Sequence, residues 1–156
     1  MNERMLLEDG LKQLSLSFSP QSVEKLLRFS DLLLEKNRVM NLTAVTDPTE
    51  VVTRHFLDCA VLAPHLPAGQ TVLDVGTGAG FPGVPLAILC PDTVFTLLDA
   101  QRKRVDFLQE TIAALGLSNC TAVHARAEEF AKAHRAAFDV AVSRAVAELR
   151  VLCELT

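Results

Sequence analysis

A chain of 156 residues has the length of one ordinary domain, and 49% apolar with 22% charged residues at a net charge of −4 excludes disorder and a collagen-like or fibrous architecture. No stretch approaches the roughly 18 uninterrupted apolar residues of a membrane span, and Glu3, Arg4, Glu8 and Asp9 stand where a signal peptide needs an apolar run, so a cytoplasmic protein with no membrane partner is expected. The acidic balance argues against coating nucleic acid through charge alone, leaving room only for a local basic patch, and with no Trp or Tyr any stacking on a base falls to one of eight Phe or to an Arg plane.

The first sixty or so residues read as successive helices. Asn2 can cap a helix over Glu3 to Leu14, with Leu6, Leu7, Leu11 and Leu14 at helical spacing and Gly10 as a weak point. Ser19 and Pro20 open a second, whose stripe Val23, Leu26, Leu27, Ser30, Leu33 and Leu34 should run to about Glu35 or Asn37. Asp47-Pro48-Thr49-Glu50 starts a third, in which Glu50 can reach back to the cap and which carries Val51, Val52, Phe56, Cys59 and Leu62 up to Pro64. A helical cap of residues 1–68 is therefore expected, too small to bury its stripes without packing on the rest.

From Gln70 the pattern becomes short apolar runs alternating with helices, the signature of a parallel α/β sheet. Strands are predicted over Thr71 to Val75, Val94 to Leu98, Cys120 to His124 and Phe138 to Val142. Helices are predicted near Pro82 to Leu89, over Arg102 to Leu115 with Gly116 as C-cap, near Ala127 to Ala133, and from about Ala145 into the terminus. Cys59, Cys90, Cys120 and Cys153 form no C-x-x-C pair, which favours reduced, mostly buried thiols over a zinc site or a disulfide framework.

The segment richest in chemistry is Thr71-Val72-Leu73-Asp74-Val75-Gly76-Thr77-Gly78-Ala79-Gly80-Phe81-Pro82-Gly83. A buried strand that runs into closely spaced glycines lets the backbone turn sharply and a nucleotide-like ligand approach without Cβ interference. Gly78 to Gly83 formally matches the dinucleotide fingerprint G-x-G-x-x-G. Asp74 to Gly80, read as D-x-G-x-G-x-G, resembles motif I of S-adenosylmethionine (SAM)-dependent methyltransferases with a Rossmann-like sheet. SAM has no pyrophosphate, and an acid near the loop can serve its amino group where it would repel a phosphate. Asp99 ends the second strand, where a carboxylate can accept ribose hydroxyls, although it can equally cap the helix that follows.

Asp74 to Ile88, preceded by Asn41-Leu42-Thr43-Ala44-Val45 and Arg54-His55-Phe56-Leu57-Asp58 and followed by Arg126-Ala127-Glu128-Glu129-Phe130 and Val142-Ser143-Arg144-Ala145-Val146-Ala147, resembles the ribosomal small-subunit RNA methyltransferase G (RsmG or GidB) family over nearly the whole chain. The resemblance implies a class I SAM-dependent methyltransferase with SAM as cofactor, acting on N7 of a guanine in 16S ribosomal RNA or the small ribosomal subunit rather than on DNA. It also implies that Gly76 and Phe81 line the cofactor loop, that Ala127 and Glu128 flank the adenine, and that Arg144 sits beside cofactor and target as the candidate catalytic residue. With Asp74, Gly78, Gly80 and Asp99 these form the expected site, and no metal is expected. Phe81 could instead pack under the loop, and Glu128 and Glu129 could be a solvated helix start.

His55 and Cys59 share a helix face without further ligands, so core packing is expected of them, and Arg54 with Asp58 has the spacing of a helix ion pair. The polar loop around Asn37, Arg38, Asn41 and Thr43 can lie over the cofactor, touch RNA or serve as turn chemistry. Guanine N7 carries no proton, so the reaction needs orientation and no general base.

The family's sheet has seven strands and four are counted here, which predicts a core over residues 69–156 truncated at the C-terminus, with strand order 3-2-1-4 and an unpaired apolar fourth strand. The expectation that follows is a weak catalyst with an intact cofactor half. The alternatives are a remnant that binds SAM without turnover and an NAD-dependent oxidoreductase. Oligomeric state leaves no mark in the sequence.

Overall fold

Asn2 caps as its residue type predicts. In the computed structural model, which describes residues 2–66, 68–134, 137–145 and 148–152, its side chain accepts the Met5 N–H at 2.9 Å and opens α1 (Glu3–Gln13), which buries Leu7 and Leu11. Gly10 does more than weaken this helix, because a Cβ there would collide with the Leu57 side chain packed against it. The side chain of Ser19 caps α2 (Pro20–Met40), which buries Val23, Leu26, Phe29, Ser30 and Leu33. This helix outlasts its expected end by about one turn. Asn41, in the left-handed region at φ 51°, stops it, and Asn37 Oδ1 accepts the Thr43 N–H at 2.9 Å, so residues read as loop become the end of the helix and its anchor to the next segment.

Asp47 caps α3 (Pro48–Glu50), and the chain continues as a π-helix over Val51–Phe56 before α4 (Leu57–Ala60) and a 3₁₀ turn over Ala63–His65. Glu50 does not reach back to the cap; its carboxylate lies 3.8 Å from Arg54.

The sheet is built from β1 (Thr71–Val75), β2 (Val94–Asp99), β3 (Cys120–His124), β4 (Val140–Ala145) and β5 (Glu148–Leu152), in the order β3-β2-β1-β4-β5. The first four strands are parallel, joined by α5 (Gly83–Leu89), α6 (Arg102–Leu115) and α7 (Ala127–Ala133). Two expectations are corrected here. The fourth strand begins two residues later than predicted, because Phe138 packs on Phe130, 5.9 Å between ring centroids, and Asp139 Oδ2 accepts the Thr71 N–H at 2.9 Å. The residues expected to start a final helix form β5, which pairs antiparallel with β4 from Ala145↔Glu148 to Ala141↔Leu152, so the four-stranded order 3-2-1-4 with a bare fourth strand is replaced by a five-stranded one. Short apolar runs do not distinguish helix from strand by spacing alone, and pairing to β4 decides this one. Val146, Ala147, Cys153 and the terminal residues 154–156 lie outside the described residues.

Val72, Leu73 and Asp74 of β1 are all buried, as a central parallel strand with both faces covered requires. Helix α2 packs over α5 and α6, and one continuous apolar cluster joins Leu11, Phe29 and Phe56 to Val72, Phe95 and Leu108. A smaller cluster of Leu73, Leu98 and Phe130 lies under α7. At the amino edge of the sheet, Asn119 Nδ2 donates to the carbonyls of Ala87, Cys90 and Thr93, tying α5 to β2. Burial holds the thiols of Cys59, Cys90 and Cys120 well above their ordinary range, to about 11 for Cys90, so they remain protonated packing groups.

Candidate functional site

At the carboxyl end of β1 the chain makes the turn its glycines allow. Gly76 and Gly78 have φ of +67° and +60°, and a Cβ on either would point into open space. The Gly76 and Thr77 N–H groups both donate to the Leu98 carbonyl, at 2.9 and 3.0 Å, so the loop is sewn to the neighbouring strand.

Asp74 organises this turn from beneath. It is fully buried, and its Oδ2 accepts the Thr77 hydroxyl at 2.7 Å and the Gly83 N–H at 2.9 Å while Oδ1 has no partner among the described residues. Burial pushes its carboxyl up to about 7 against these two hydrogen bonds. Gly83 has to lack a side chain, since a Cβ would collide with Leu97 and lie 2.7 Å from the carboxylate. Asp99 holds the loop from the side: Oδ2 accepts the Gly78 N–H and Oδ1 the Gln101 N–H, each at 2.9 Å, with Arg104 3.9 Å away.

Facing the loop across a cavity of about 600 Å³ is a second wall, lined by Thr43, Arg54, His55, Asp58 and Arg144. The Phe81 ring is shared by both walls. His55 stacks on it with 4.4 Å between centroids and an interplanar angle of 18°, and the Arg144 guanidinium lies over it at 5.4 Å. Arg144 also donates to His55 Nδ1 at 2.7 Å and to the Arg54 carbonyl at 3.0 Å, with the Asp58 carboxylate 3.7 Å away. The expected Arg54–Asp58 pair does not form, because Arg54 turns to Glu50 and Asp58 to Arg144.

Of the residues expected from sequence, Gly76, Gly78, Phe81 and Arg144 line this cavity. Asp74 lies under the loop rather than on its surface, and Gly80 is packed inside, a Cβ there falling 2.8 Å from Val84 and 2.9 Å from Leu108. Asp99, Ala127 and Glu128 stand at the neighbouring ends of β2 and β3, outside the lining, with Ala127 and Glu128 exposed. His55 is buried, as core packing requires, and it also lines the cavity, of which its i, i+4 spacing to Cys59 gives no sign. Among the described residues no group of His, Cys, Asp and Glu could hold a metal ion, and no helix is long and apolar enough to cross a membrane.

Residues 22–156 match the family model GidB, described as rRNA small subunit methyltransferase G. A ribosomal RNA small subunit methyltransferase G from Alkaliphilus metalliredigens is 46% identical over 99% of this chain and 66% of its own length. Its counterpart from Clostridium perfringens is 44% identical over 96% and 64%. The chain thus spans about two thirds of the length of the curated relatives it matches. Among solved structures, an O-methyltransferase from Bacillus cereus in complex with SAH shares the fold at a TM-score of 0.57 and 20% identity, over 76% of this chain and 54% of that one.

Proposed function

The chain belongs to the GidB family, and on that premise we propose that it binds SAM on the loop after β1 and takes part in methyl transfer to N7 of a guanine in 16S ribosomal RNA. The observation that carries this is the cavity itself, which opens a side-chain-free glycine turn directly onto a wall of hydrogen-bond donors.

The residues present fit that cofactor. A Cβ on Gly76 or Gly78 would enter the space where a ligand approaches. Among the described residues each Asp99 oxygen accepts a single N–H, which leaves a lone pair on each, so the carboxylate can accept both ribose hydroxyls while it holds the loop. Ala127 and Glu128, which open α7 just after β3, are assigned to flank the adenine on the family resemblance, and Arg144 to offer its remaining N–H groups to an oxygen of cofactor or target.

When bound, SAM supplies an electrophilic methyl group on its sulfonium. The protein's task is to aim a lone pair at it, and orientation of this kind contributes about 7–11 kcal/mol in a well-aligned bimolecular step. No base is needed for guanine N7, and the His55 imidazole in the cavity is not free to act as one, because both ring nitrogens are already engaged. The buried thiols, held protonated, supply no nucleophile.

Calorimetry with SAM, S-adenosylhomocysteine (SAH) and NAD tests the cofactor. Binding of the first two with none of NAD is expected, and the reverse would overturn the reading. Transfer of labelled methyl from SAM to 30S particles, mapped to a guanine N7, tests the reaction. Label on another atom, or on another RNA in preference, would refute the assigned target.

A further inference from the structure

His55 reaches the cavity because the helix that carries it is wound as a π-helix over Val51–Phe56. Within it Val51, Val52, His55 and Phe56 are buried while Thr53 and Arg54 face out. Phe56 turns into the core against Phe29, and His55 lies flat on Phe81. The hydrogen bonds around the ring then have one direction. A guanidinium has donors and no acceptor, so the 2.7 Å contact makes His55 Nδ1 the acceptor from Arg144. The ring proton therefore sits on Nε2 and is donated to Thr43 Oγ1 at 2.9 Å. The same oxygen receives the Val45 N–H at 3.1 Å. With both lone pairs filled, Thr43 can only donate its own proton outward, and among the described residues no protein acceptor takes it; Thr43 lines the cavity.

We propose that His55 is a positioning residue: as a neutral imidazole protonated on Nε2 it locks Arg144 and Thr43 into a one-way chain that presents both to the cavity as donors, for an oxygen acceptor of cofactor or RNA. The charged groups acting on the ring are Arg144 from β4 and Arg54 from its own helix, with Asp58 of α4 paired to Arg144 and the uncharged Thr43 and Phe81 completing its surroundings. Burial, then Arg144, then Arg54 lower its pKa to about 4, so the ring stays neutral at pH 7. Were it protonated, Nδ1 would carry a proton against the guanidinium and the chain would break.

The ring state is read without any ligand, by ¹⁵N NMR of the histidine side chains at pH 7. A protonated Nε2 and an unprotonated Nδ1 at His55, unchanged on acidification to pH 5.5, is expected; the other tautomer, or an imidazolium, would overturn the proposal. The function of the chain is read with His55→Phe, which keeps the stack on Phe81 and removes both hydrogen bonds, and with His55→Asn, which can restore the acceptor for Arg144. This arm rests on the methyltransferase reading. If the acceptor is the cofactor carboxylate, His55→Phe weakens SAH by about tenfold, the loss of one hydrogen bond to a charged group, spares 5′-methylthioadenosine, which lacks that carboxylate, and is largely rescued in His55→Asn. If the acceptor belongs to the RNA, cofactor affinity holds and binding of 30S particles at saturating SAH falls instead. Unchanged affinity in both arms would sink the idea. A wild-type chain that binds no SAH would refute the proposed function while the NMR measurement still decides the state of His55.

Discussion

The wall below the glycine turn is made within nine positions, from Asp74 to Gly83, whereas the wall that faces it joins His55 to Arg144 across 89 positions and adds Thr43 from a third segment. Both walls use a buried titratable group to align donors, with opposite electrostatics. Asp74 is an acid whose carboxyl burial pushes up to about 7, bonded to the Thr77 hydroxyl and the Gly83 N–H of its own loop, while His55 is a base kept neutral and bonded to side chains from elsewhere. A local motif thus shapes the rigid half of the site, and tertiary packing shapes the half that carries the charge.

The largest effect should come from removing the anchor of the first wall. Asp74→Ala leaves the Thr77 hydroxyl and the Gly83 N–H without their acceptor in the core, at about 1–3 kcal/mol each, and thermal melts should show a loss of several degrees or more. An equal loss in Arg144→Ala would erase the contrast between the walls. Gly76→Val comes next. A branched residue at φ +67° costs about 1–2 kcal/mol, and its side chain enters the cavity, so SAM binding should vanish in calorimetry while the fold persists; retained affinity would remove this turn from the site.

The two buried groups should also give opposite pH signatures. Asp74 keeps its proton in the fold up to about 7 but loses it in the unfolded chain near 3.8, so its contribution to stability is full below 3.8 and is lost as pH rises through 7. The folded pKa of His55, about 4, lies below its unfolded 6.5, so its contribution is full above 6.5 and is lost as pH falls towards 4. Denaturant melts of Asp74→Asn and His55→Phe should each remove one of these opposed slopes; the same slope change in both variants would contradict the assignment. Smaller again is Phe81→Leu, which should cost about 0.5–1.5 kcal/mol in aromatic contacts and loosen Arg144 more than the glycine turn, readable as a stability loss with a larger loss of SAM affinity. Glu50→Ala breaks only an exposed ion pair and should stay within about 0.5 kcal/mol in the same melts.

The same division explains what could be read from the sequence. Asp74 and the glycines announce a ligand turn because strand, turn and helix are contiguous, and Ser19-Pro20 and Gly116 mark helix ends through rules that act within a few residues. Arg144 could be suspected from its place at the carboxyl end of a strand. Thr43 stands out only as part of a polar loop that turn chemistry explains equally well, and His55 only as part of a buried helix face; the π-helix and the arrival of Arg144 give them their role. The segment Glu148–Leu152 departs from the expected helix for a related reason: its partner strand, rather than its own pattern, makes it extended.

The pairing of β4 with β1 also has a kinetic consequence. β1 meets β2, and β2 meets β3, across 23 to 25 positions, as in Thr71↔Val94 and Phe95↔Cys120, whereas Val72 finds Val140 across 68. Closing the longer loop costs about 1 kcal/mol more in chain entropy. On that ordering β1 to β3 and the glycine turn form first and the strand bearing Arg144 docks last, so in pulse-labelled hydrogen exchange the amides of β2 should gain protection before those of β4. On that expected ordering, the turn for the cofactor precedes the charged wall.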